Sequence, residues 1–360
     1  MTDNKKTRIV VGLSGGVDSS AAASLLVEQG YDVVGITLKV WPQDCVSRAE
    51  DKCCGPQAVM DARSVADKLN IPYYLVDESK EFQRDVIDYF AAEYKAGRTP
   101  NPCVMCNEKL KFGNLIDRAR KLGAEYVATG HYARLEQRDG RTVLLRGRDA
   151  RKDQTYFLFS LGQEQLAHMM FPLGELQKSE TREVARCVNL KTAEKQESQE
   201  ICFVPDKDYK KFLTTAGLVE EHRGEIVDTR GQVLGHHDGI EFYTIGQRKG
   251  LGISSPSPMY VIELDPENNR VVVGGEELLL RDEFRIDRCN WIAFDHLAKP
   301  IEASAAIRYN HPGTEATVIP GENGQATVKL REPQRAVTPG QACVFYQDDL
   351  VVGGGWIMRN

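Results

Sequence analysis

Short apolar runs rich in β-branched residues alternate with helical segments through the first half of the chain, and this alternation constrains the fold most. The strand-like runs are RIVVGLS (8–14), YDVVGITLKVW (31–41), IPYYLVD (71–77) and AEYVATGH (124–131). The helical segments between them are DSSAAASLLVEQG (18–30), PQAVMDARSVADKLN (56–70) and EFQRDVIDYFAAEYKAG (81–97). Strands that alternate with helices predict a parallel sheet covered by helices, and therefore an α/β fold.

The pattern changes after about residue 205, where short alternating runs follow one another between Gly, Pro and Asn turns. These runs are MYVIELD (259–265), NRVVVGG (269–275), EASAAIRYN (302–310), EATVIP (315–320), QATVKL (325–330) and QACVFYQ (341–347). Runs of this kind predict a mostly β region that ends in a small barrel or sandwich.

Composition limits the class of protein. No apolar run approaches the roughly 18 residues needed to span a bilayer, and the start MTDNKKTR lacks the apolar segment of a secretory signal, so we expect a cytoplasmic protein without membrane contact. Nine cysteines in 360 residues are an odd number spread over a long chain, which favours reactive thiols or metal ligands over a disulfide scaffold. The net charge of −6 gives no global attraction to nucleic acid, so local basic patches must hold any polyanion.

A turn rich in glycine and serine, GLSGGVDSS (12–20), stands where the first strand passes into the first helix. Ser14, Gly15 and Gly16 allow a tight turn, and the backbone N–H groups at the helix start form an anion cradle that side-chain bulk at Gly15 would block. No lysine follows the second glycine, which excludes the usual nucleoside-triphosphate loop. The simplest alternative is a helix N-terminus capped by Ser and Asp.

The pattern Ser-Gly-Gly-Val-Asp-Ser resembles the PP-loop of ATP pyrophosphatases. These enzymes hold the pyrophosphate end of ATP while a substrate oxygen attacks the α-phosphate. The resemblance implies that Asp18 lies near Mg²⁺ and the phosphates, and that Ser14 and Ser19 donate hydrogen bonds. The ATP contacts it implies are Gly12, Leu13, Ser14, Gly15, Gly16, Val17, Asp18, Ser19, Leu38 after the second strand and Gly130 after the fourth.

Further motifs narrow the resemblance to one family. They are AGRTPNPCVMCNEKLKFG (96–113), ATGHYAR (128–134), RKDQTYFL (151–158), SQEICFVPD (198–206), YTIGQRKGLG (243–252) and VTPGQACVFY (337–346). Together they closely resemble the tRNA-specific 2-thiouridylases, from the first strand to the last. The resemblance implies a PP-loop catalytic domain (1–207) of the adenine nucleotide alpha hydrolase-like type, a small central domain (208–280) and a C-terminal β-barrel that contacts tRNA (281–360).

The resemblance also implies the chemistry: ATP adenylates the C2 oxygen of the wobble uridine, and sulfur then replaces it. Cys202 is expected to carry the sulfur as a persulfide, with Cys106 as the second catalytic cysteine. At Cys103 the chain departs from family members that carry Asp, which puts a carboxylate base there in doubt. Cys103, Cys106 and Cys202 are instead enough to ligate an iron–sulfur cluster, and zinc is a further alternative.

RNA recognition is expected at single-stranded bases of the anticodon stem-loop. The resemblance implies a target-base pocket and a set of tRNA contacts. The pocket residues are Asn101, Pro102 and Cys103, and the tRNA contacts are His131, Lys152, Asp153, Gln154, Arg308, Tyr309 and Gln341. A separate protein is expected to supply persulfide or sulfide.

Several interpretations stay open from the sequence. Another PP-loop ligase, related to GMP or argininosuccinate synthetase, would not need the three cysteines, and an RNA-binding protein that senses nucleotide would show no turnover. Cys45, Cys53 and Cys54 are interpreted as loop thiols, with a metal site as the alternative. Cys187, Cys289 and Cys343 lie in apolar patterns and are interpreted as packing residues.

Overall fold

The computed structural model describes residues 7–40, 55–194, 201–204 and 208–359. Cys45, Cys53 and Cys54 lie outside the described residues. Contacts divide the chain into two compact units, the first within Met1–Val86, Cys103–Pro205 and Asp348–Val351, the second within Ile87–Pro102, Asp206–Gln347 and Val352–Asn360. Within the described ranges, no helix has the length and apolar character to cross a bilayer.

Most helices of the described residues are short. They are α1 (Val17–Glu28), α2 (Pro56–Leu69), α3 (Ser79–Phe82), α4 (Tyr89–Lys95), α5 (Pro102–Met105), α6 (Leu115–Lys121), α7 (Gln163–Ala167), α8 (Lys178–Cys187) and α9 (Tyr209–Thr215). Two π-helical stretches cover Gln83–Asp88 and Cys106–Asn114, and 3₁₀ turns cover Thr155–Phe157, Lys191–Glu194, Ile240–Phe242 and Glu276–Leu279.

Strands occur in both units. They are β1 (Arg8–Gly12), β2 (Asp32–Lys39), β3 (Tyr73–Asp77), β4 (Tyr126–Ala128), β5 (Ala133–Arg138), β6 (Arg141–Arg146), β7 (Met169–Met170), β8 (Gly224–Asp228), β9 (Val233–His237), β10 (Tyr260–Asp265), β11 (Arg270–Gly274), β12 (Leu280–Trp291), β13 (Ile301–Ala306), β14 (Thr314–Pro320), β15 (Ala326–Arg335), β16 (Ala342–Gln347) and β17 (Leu350–Ile357).

The first unit is built on a parallel sheet with the order β3-β2-β1-β4-β7. Every pairing in it is parallel. Ile9, Val10 and Val11 of β1 have no exposed surface, so both faces of the central strand are covered, as parallel sheets require. The predicted α/β fold is confirmed. β7 was not predicted, because two residues carry no readable period.

The second unit contains two β structures. A four-stranded sheet has the order β10-β11-β8-β9. A six-stranded barrel follows the order β12-β15-β14-β13-β16-β17 and closes by antiparallel pairing of β12 with β17. Closure leaves the barrel without a free edge, and its interior is filled by apolar side chains such as Ile286, Val318 and Phe345. The predicted C-terminal β-barrel is confirmed.

Cys187, Cys289 and Cys343, the three cysteines interpreted from the sequence as packing residues, have different environments. Cys343 is fully buried in the barrel core, and Cys289 packs against the same core. Burial raises the pKa of Cys289 to about 12, and it raises the pKa of Cys343 as well, so both thiols stay protonated. Cys187 is exposed at the end of α8, so its interpretation as a packing residue is wrong.

Helix α4 belongs to the second unit, although only the π-helical stretch Gln83–Asp88 separates it from α3 of the first unit. Its aromatic face explains this placement. Tyr94 stacks on Tyr209 of α9 with ring centroids 4.7 Å apart, and Phe90 contacts Phe212 edge-on at 6.4 Å. Burial of these rings against α9 fixes the segment that leads towards Asn101.

In the first unit, one buried carboxylate fixes the helical run that carries Cys103 and Cys106. Glu78 follows β3 and is 1% exposed. It accepts a hydrogen bond from Asn114 Nδ2 at 2.6 Å and another from Arg118 Nε at 2.6 Å. Both donors lie on the helical run, one at the end of its π-helical stretch and one on α6, so the run is held at the carboxyl edge of the sheet.

We expect Glu78→Ala to lower the free energy of unfolding by about 1.5–3 kcal/mol, since it removes the acceptor of charge-assisted hydrogen bonds in a buried place. Glu164→Ala is the matched control, because the ion pair of Glu164 with Arg120 lies on the surface. Urea unfolding of both variants checks this expectation. Equal stability of the two variants would contradict the anchoring role of Glu78.

Candidate active site

The PP-loop connects β1 to α1 and is closed by its own serines. Ser14 N donates to Ser19 Oγ at 3.1 Å, and the hydroxyls of Ser14 and Ser19 are also 3.1 Å apart. Ser20 Oγ donates to Gly16 O at 2.7 Å. Gly16 is the N-cap of α1 and provides no side-chain cap. The first turn of a 12-residue helix is thus left with backbone N–H groups suited to an anion.

Both the loop conformation and the packing against α2 require glycine at position 15. Its φ is +68°, and a Cβ atom there would lie 2.2 Å from the backbone oxygen of Ala58 on α2. A side chain at this position would therefore strain the fold before it could obstruct a phosphate. The expectation that bulk at Gly15 acts by blocking phosphate is corrected: the first obstacle is the α2 backbone.

The sheet order brings the predicted ATP-binding segments together. β2 and β4 flank β1, with Gly12 paired to Ile36 and Val11 to Ala128, so the ends of the three strands share one edge. Leu38 lies within β2 rather than after it. Gly130 follows β4 and approaches α1 so closely that a Cβ atom would lie 2.6 Å from Asp18 C. Ligands of open parallel sheets bind at such an edge.

Cys103 and Cys106 lie on one helical run that begins at Pro102 and continues through the π-helical stretch. Cys103 is in its first turn and Cys106 begins the next. Because the helix dipole acts mainly within the first turn, its N-terminus favours a thiolate at Cys103 more than at Cys106. π-helical insertions of this kind are frequent at functional sites.

Cys202 also belongs to the first unit, in a described segment of four residues. The neighbouring Phe203 is 3% exposed and meets Phe82 edge-on, with ring centroids 5.7 Å apart. The structure holds Cys103, Cys106 and Cys202 as half-buried thiols. Across the described residues, no three His, Cys, Asp or Glu side chains form a group able to hold a metal ion.

Asn101 and Gln341 lie in the second unit, and Gln341 holds the segment before Asn101. Gln341 Nε2 donates to the carbonyl oxygens of Thr99 and Pro100, each at 3.1 Å. Thr99 N donates to Pro339 O at 2.8 Å. Asn101 itself is only 7% exposed. The amide group of Gln341 is therefore engaged with the protein backbone.

Two residues of the Lys-Asp-Gln motif point inward. Asp153 accepts hydrogen bonds from Thr155 Oγ1 at 2.9 Å and from Arg146 Nη1 at 2.8 Å. Gln154 Oε1 accepts from Tyr132 N at 3.0 Å. These hydrogen bonds order the loop around Lys152, whose side chain is half-buried.

His131 is 8% exposed and lies among aromatic rings. Its Nδ1 is 2.7 Å from Thr129 Oγ1, and its ring is 5.6 Å from Phe112 and 6.1 Å from Phe171. Burial, with a smaller effect from Lys111, holds the pKa of His131 well below its usual range, so the imidazole is neutral at physiological pH.

Arg308 and Tyr309 are exposed in the second unit. Tyr309 shows 41% of its surface to solvent. An exposed aromatic ring beside a guanidinium can stack on a base and contact a phosphate.

Similarity to known proteins decides the family. Three family models match in succession: "tRNA methyl transferase HUP domain" over residues 7–206, "tRNA methyl transferase PRC-barrel domain" over 210–275 and "Aminomethyltransferase beta-barrel domain" over 281–357. The tRNA-specific 2-thiouridylase MnmA of Clostridium perfringens is 50% identical over 353 residues, which are 98% of this chain and 98% of the relative. The chain belongs to the tRNA-specific 2-thiouridylase family.

A second relative carries the same family description. The tRNA-specific 2-thiouridylase MnmA of Moorella thermoacetica is 51% identical over 351 residues, covering 97% of this chain and 98% of the relative. Among solved structures, a 4-thiouridine synthetase–RNA complex with bound ATP matches 59% of this chain and 50% of that chain, at 18% identity and a TM-score of 0.35.

Three residues beside the PP-loop of this thiouridylase were missed from the sequence. Asp18 Oδ1 accepts from Lys178 Nζ at 2.6 Å and from the Tyr132 hydroxyl at 2.9 Å. The Tyr132 oxygen also lies 2.9 Å from Thr181 Oγ1. Tyr132 lies within the ATGHYAR motif, but Lys178 and Thr181 begin an ordinary amphipathic helix 160 residues from Asp18 and carry no local signal.

We expect Gly130→Ala to impair ATP binding, because its methyl group would meet the α1 backbone at 2.6–2.7 Å and displace Asp18 and Ser19. Gly162→Ala is the control, since a Cβ atom there meets only Gln165 Oε1 at 3.9 Å. Equilibrium binding of ATP to both variants is the measurement. Equal affinity for ATP would show that the close approach of Gly130 does not shape the nucleotide site.

Proposed function

We propose that this enzyme catalyses the ATP-dependent 2-thiolation of the wobble uridine of tRNA. The observation that carries the proposal is that the PP-loop, Cys106 and Cys202 belong to one compact unit of a thiouridylase-family chain. A tRNA methyltransferase, which two family descriptions name, would need neither a PP-loop nor a pair of thiols. Family membership also disfavours a GMP or argininosuccinate synthetase-like ligase and a sensor without turnover.

The first step is adenylation. The C2 oxygen of the uridine forms a bond to the α-phosphorus of ATP, and the bond from that phosphorus to the β-phosphate oxygen breaks. Its electron pair leaves with pyrophosphate, and the N3 proton of the uridine passes to water. The proposed ATP contacts are those around the PP-loop, namely residues 12–19, Leu38 and Gly130. Adenylation turns a poorly electrophilic C2 carbonyl into a carbon with a good leaving group.

Mg²⁺ is the metal we propose for this step. The ion is commonly held by one or two carboxylates together with substrate phosphates, and it neutralises phosphate charge. Asp18 fits that requirement, because it lies in the first turn of α1 and its side chain is 30% exposed.

The second step transfers sulfur. The terminal sulfur of a Cys202 persulfide attacks C2, and the C2–O bond breaks to release AMP. The Cys106 thiolate then attacks Cys202 Sγ, so the S–S electron pair moves to the sulfur on C2 and gives 2-thiouridine once N3 is protonated again. A Cys106–Cys202 disulfide remains, and a thiol reductant reopens it. A donor protein supplies the next sulfur atom as a persulfide: the Cys202 thiolate takes its terminal sulfur, and the donor's own cysteine leaves as a thiolate.

The competing proposal is an iron–sulfur cluster ligated by Cys103, Cys106 and Cys202. The described residues do not support it as they stand, because these thiols do not form a metal-binding group there. The same observation disfavours zinc. The persulfide route needs only two thiolates, and we propose that Cys103 lines the target-base pocket with Asn101 and Pro102.

For tRNA, we propose that the anticodon stem-loop contacts Lys152, Arg308 and Tyr309 directly. Asp153, Gln154 and Gln341 also belong to the proposed contact set, although their side chains make hydrogen bonds to protein backbone and neighbouring side chains. His131 is the least exposed member of this set, at 8%. The domain bounds 1–207, 208–280 and 281–360 and a cytoplasmic location are part of the same proposal.

The cysteine roles predict different outcomes for three serine variants in single-turnover thiolation with a persulfide donor. Cys202→Ser should form no 2-thiouridine, because it lacks the sulfur carrier. Cys106→Ser should trap Cys202 on tRNA through a disulfide-type bond that dithiothreitol releases. Cys103→Ser should retain much of the activity. Mass spectrometry of the protein and of the tRNA nucleosides distinguishes the three outcomes.

Cys187→Ser is the matched control, since that thiol is exposed and lies outside the proposed site. Adenylation should survive in every variant. The persulfide route is contradicted if the Cys103, Cys106 and Cys202 variants are equally inactive and the anaerobic wild-type protein contains stoichiometric iron and acid-labile sulfide.

A further inference from the structure

Lys178 makes one contact through its ammonium and one through its backbone N–H beside the PP-loop. Its ammonium lies 2.6 Å from Asp18 Oδ1, and its side chain is only 13% exposed. Its backbone N donates to Asp149 Oδ2 at 3.0 Å, and Asp149 is 8% exposed. Burial and the ammonium contact with Asp18 restrict the rotamers of this long side chain before any ligand arrives.

The helix that carries Lys178 does not favour a lysine there. Lys178 is the first residue of α8, and a cation at a helix N-terminus opposes the helix dipole. The stabilising partner is Asp18, in the first turn of α1. The carboxylates of Asp149 and Glu180 accept hydrogen bonds from the backbone N–H groups of Lys178 and Gln177 at the start of α8, whereas Asp18 pairs with the ammonium itself.

The surrounding contacts orient the ammonium. Lys178 Nζ lies 5.6 Å from the centroid of the Tyr132 ring, within cation–π range. The Tyr132 hydroxyl donates to the same Asp18 oxygen that Lys178 contacts. If the ammonium moves, Asp18 keeps the Tyr132 hydrogen bond, so the carboxylate stays oriented when its cation leaves.

We propose that Lys178 is a catalytic residue of the adenylation step, binding the β- and γ-phosphates of ATP after it exchanges Asp18 for them. The inference rests on the adenylation proposed above. As the bond between the α-phosphorus and the β-phosphate oxygen breaks, its electron pair moves onto that oxygen. An ammonium placed there gains attraction as the charge develops, which is how differential stabilisation lowers a barrier. The same exchange frees the Asp18 carboxylate.

The test is the binding of two probes, inorganic pyrophosphate and AMP, to wild-type protein and to Lys178→Met, in the presence of magnesium. Loss of one charge-assisted contact should weaken pyrophosphate binding by about tenfold to a hundredfold. AMP binding should stay within about twofold to threefold, since AMP lacks the β- and γ-phosphates. The rate of tRNA-dependent pyrophosphate release should fall, with the KM for tRNA unchanged, and Lys178→Arg should recover part of both losses.

Lys68→Met is the matched control. Lys68 lies in the last turn of α2, and its ammonium donates to Asn189 O rather than to the PP-loop. It should bind both probes as the wild-type protein does. A Lys178→Met protein with wild-type pyrophosphate affinity and release rate would overturn the inference. A wild-type protein that releases no pyrophosphate with tRNA would instead overturn the proposed adenylation.

A double-mutant comparison keeps the inference testable if Lys178→Met alone fails to fold. Asp18→Asn/Lys178→Met removes both charges and leaves no carboxylate without its cation. Compared with Asp18→Asn alone, the double variant should lose a further tenfold or so of pyrophosphate affinity. Equal pyrophosphate affinity of these two proteins would mean that Lys178 serves only as the structural partner of Asp18.

Discussion

Parallel pairing of β1 with β2 and β4 is the constraint on which the nucleotide site depends. It places three strand ends at one edge of the sheet, and the first turn of α1 follows directly from the central strand. Gly130 can approach α1 only because it has no side chain, and that approach sets the position of Asp18 and Ser19. The same edge carries Glu78, which anchors the helical run of Cys103 and Cys106. The proposed ATP contacts and the helical run of Cys103 and Cys106 therefore lie at the same edge of one sheet.

The adenylation step and the sulfur-transfer step of the proposed reaction need different kinds of group. In this proposal, positive charge at the PP-loop, from the α1 N-terminus and from Lys178, favours the departure of pyrophosphate. The sulfur step needs mobile electron pairs on thiolates instead. The cysteines lie on other segments of the chain than the PP-loop, so each step can be disabled by substitution without removing the other.

The main elements could be predicted from the sequence because burial leaves a periodic signal. β1, β2 and β3 were predicted as continuous β-branched runs, and four of the six barrel strands, β13 to β16, as alternating ones. The predicted runs did not include β12 and β17, whose pairing closes the barrel. β7 has two residues and the β5–β6 hairpin mixes charged with apolar residues, so neither was predicted. The π-helical stretch at Cys106–Asn114 was not predictable either, since it differs from an α-helix only in hydrogen-bond spacing.

Motifs identified the loop and the cysteines, but not what each side chain contacts. Asp153 and Gln154 occur in a motif that resembles a tRNA contact, yet their side chains bond to the protein. Lys178 shows the converse: no motif marked it, and only folding brings it to Asp18, 160 residues away. Long-range ion pairs leave no local pattern in one sequence, and this is why the nucleotide site was predicted only in part.

The central claim is that the C2 oxygen of the uridine itself attacks the α-phosphorus of ATP. The most direct measurement uses tRNA with ¹⁸O at C2 of the wobble uridine, followed by mass spectrometry of the nucleotide products after one turnover. The account predicts that the label appears in AMP, in step with the formation of 2-thiouridine. Label found in water or in inorganic phosphate, with AMP unlabelled, would contradict it.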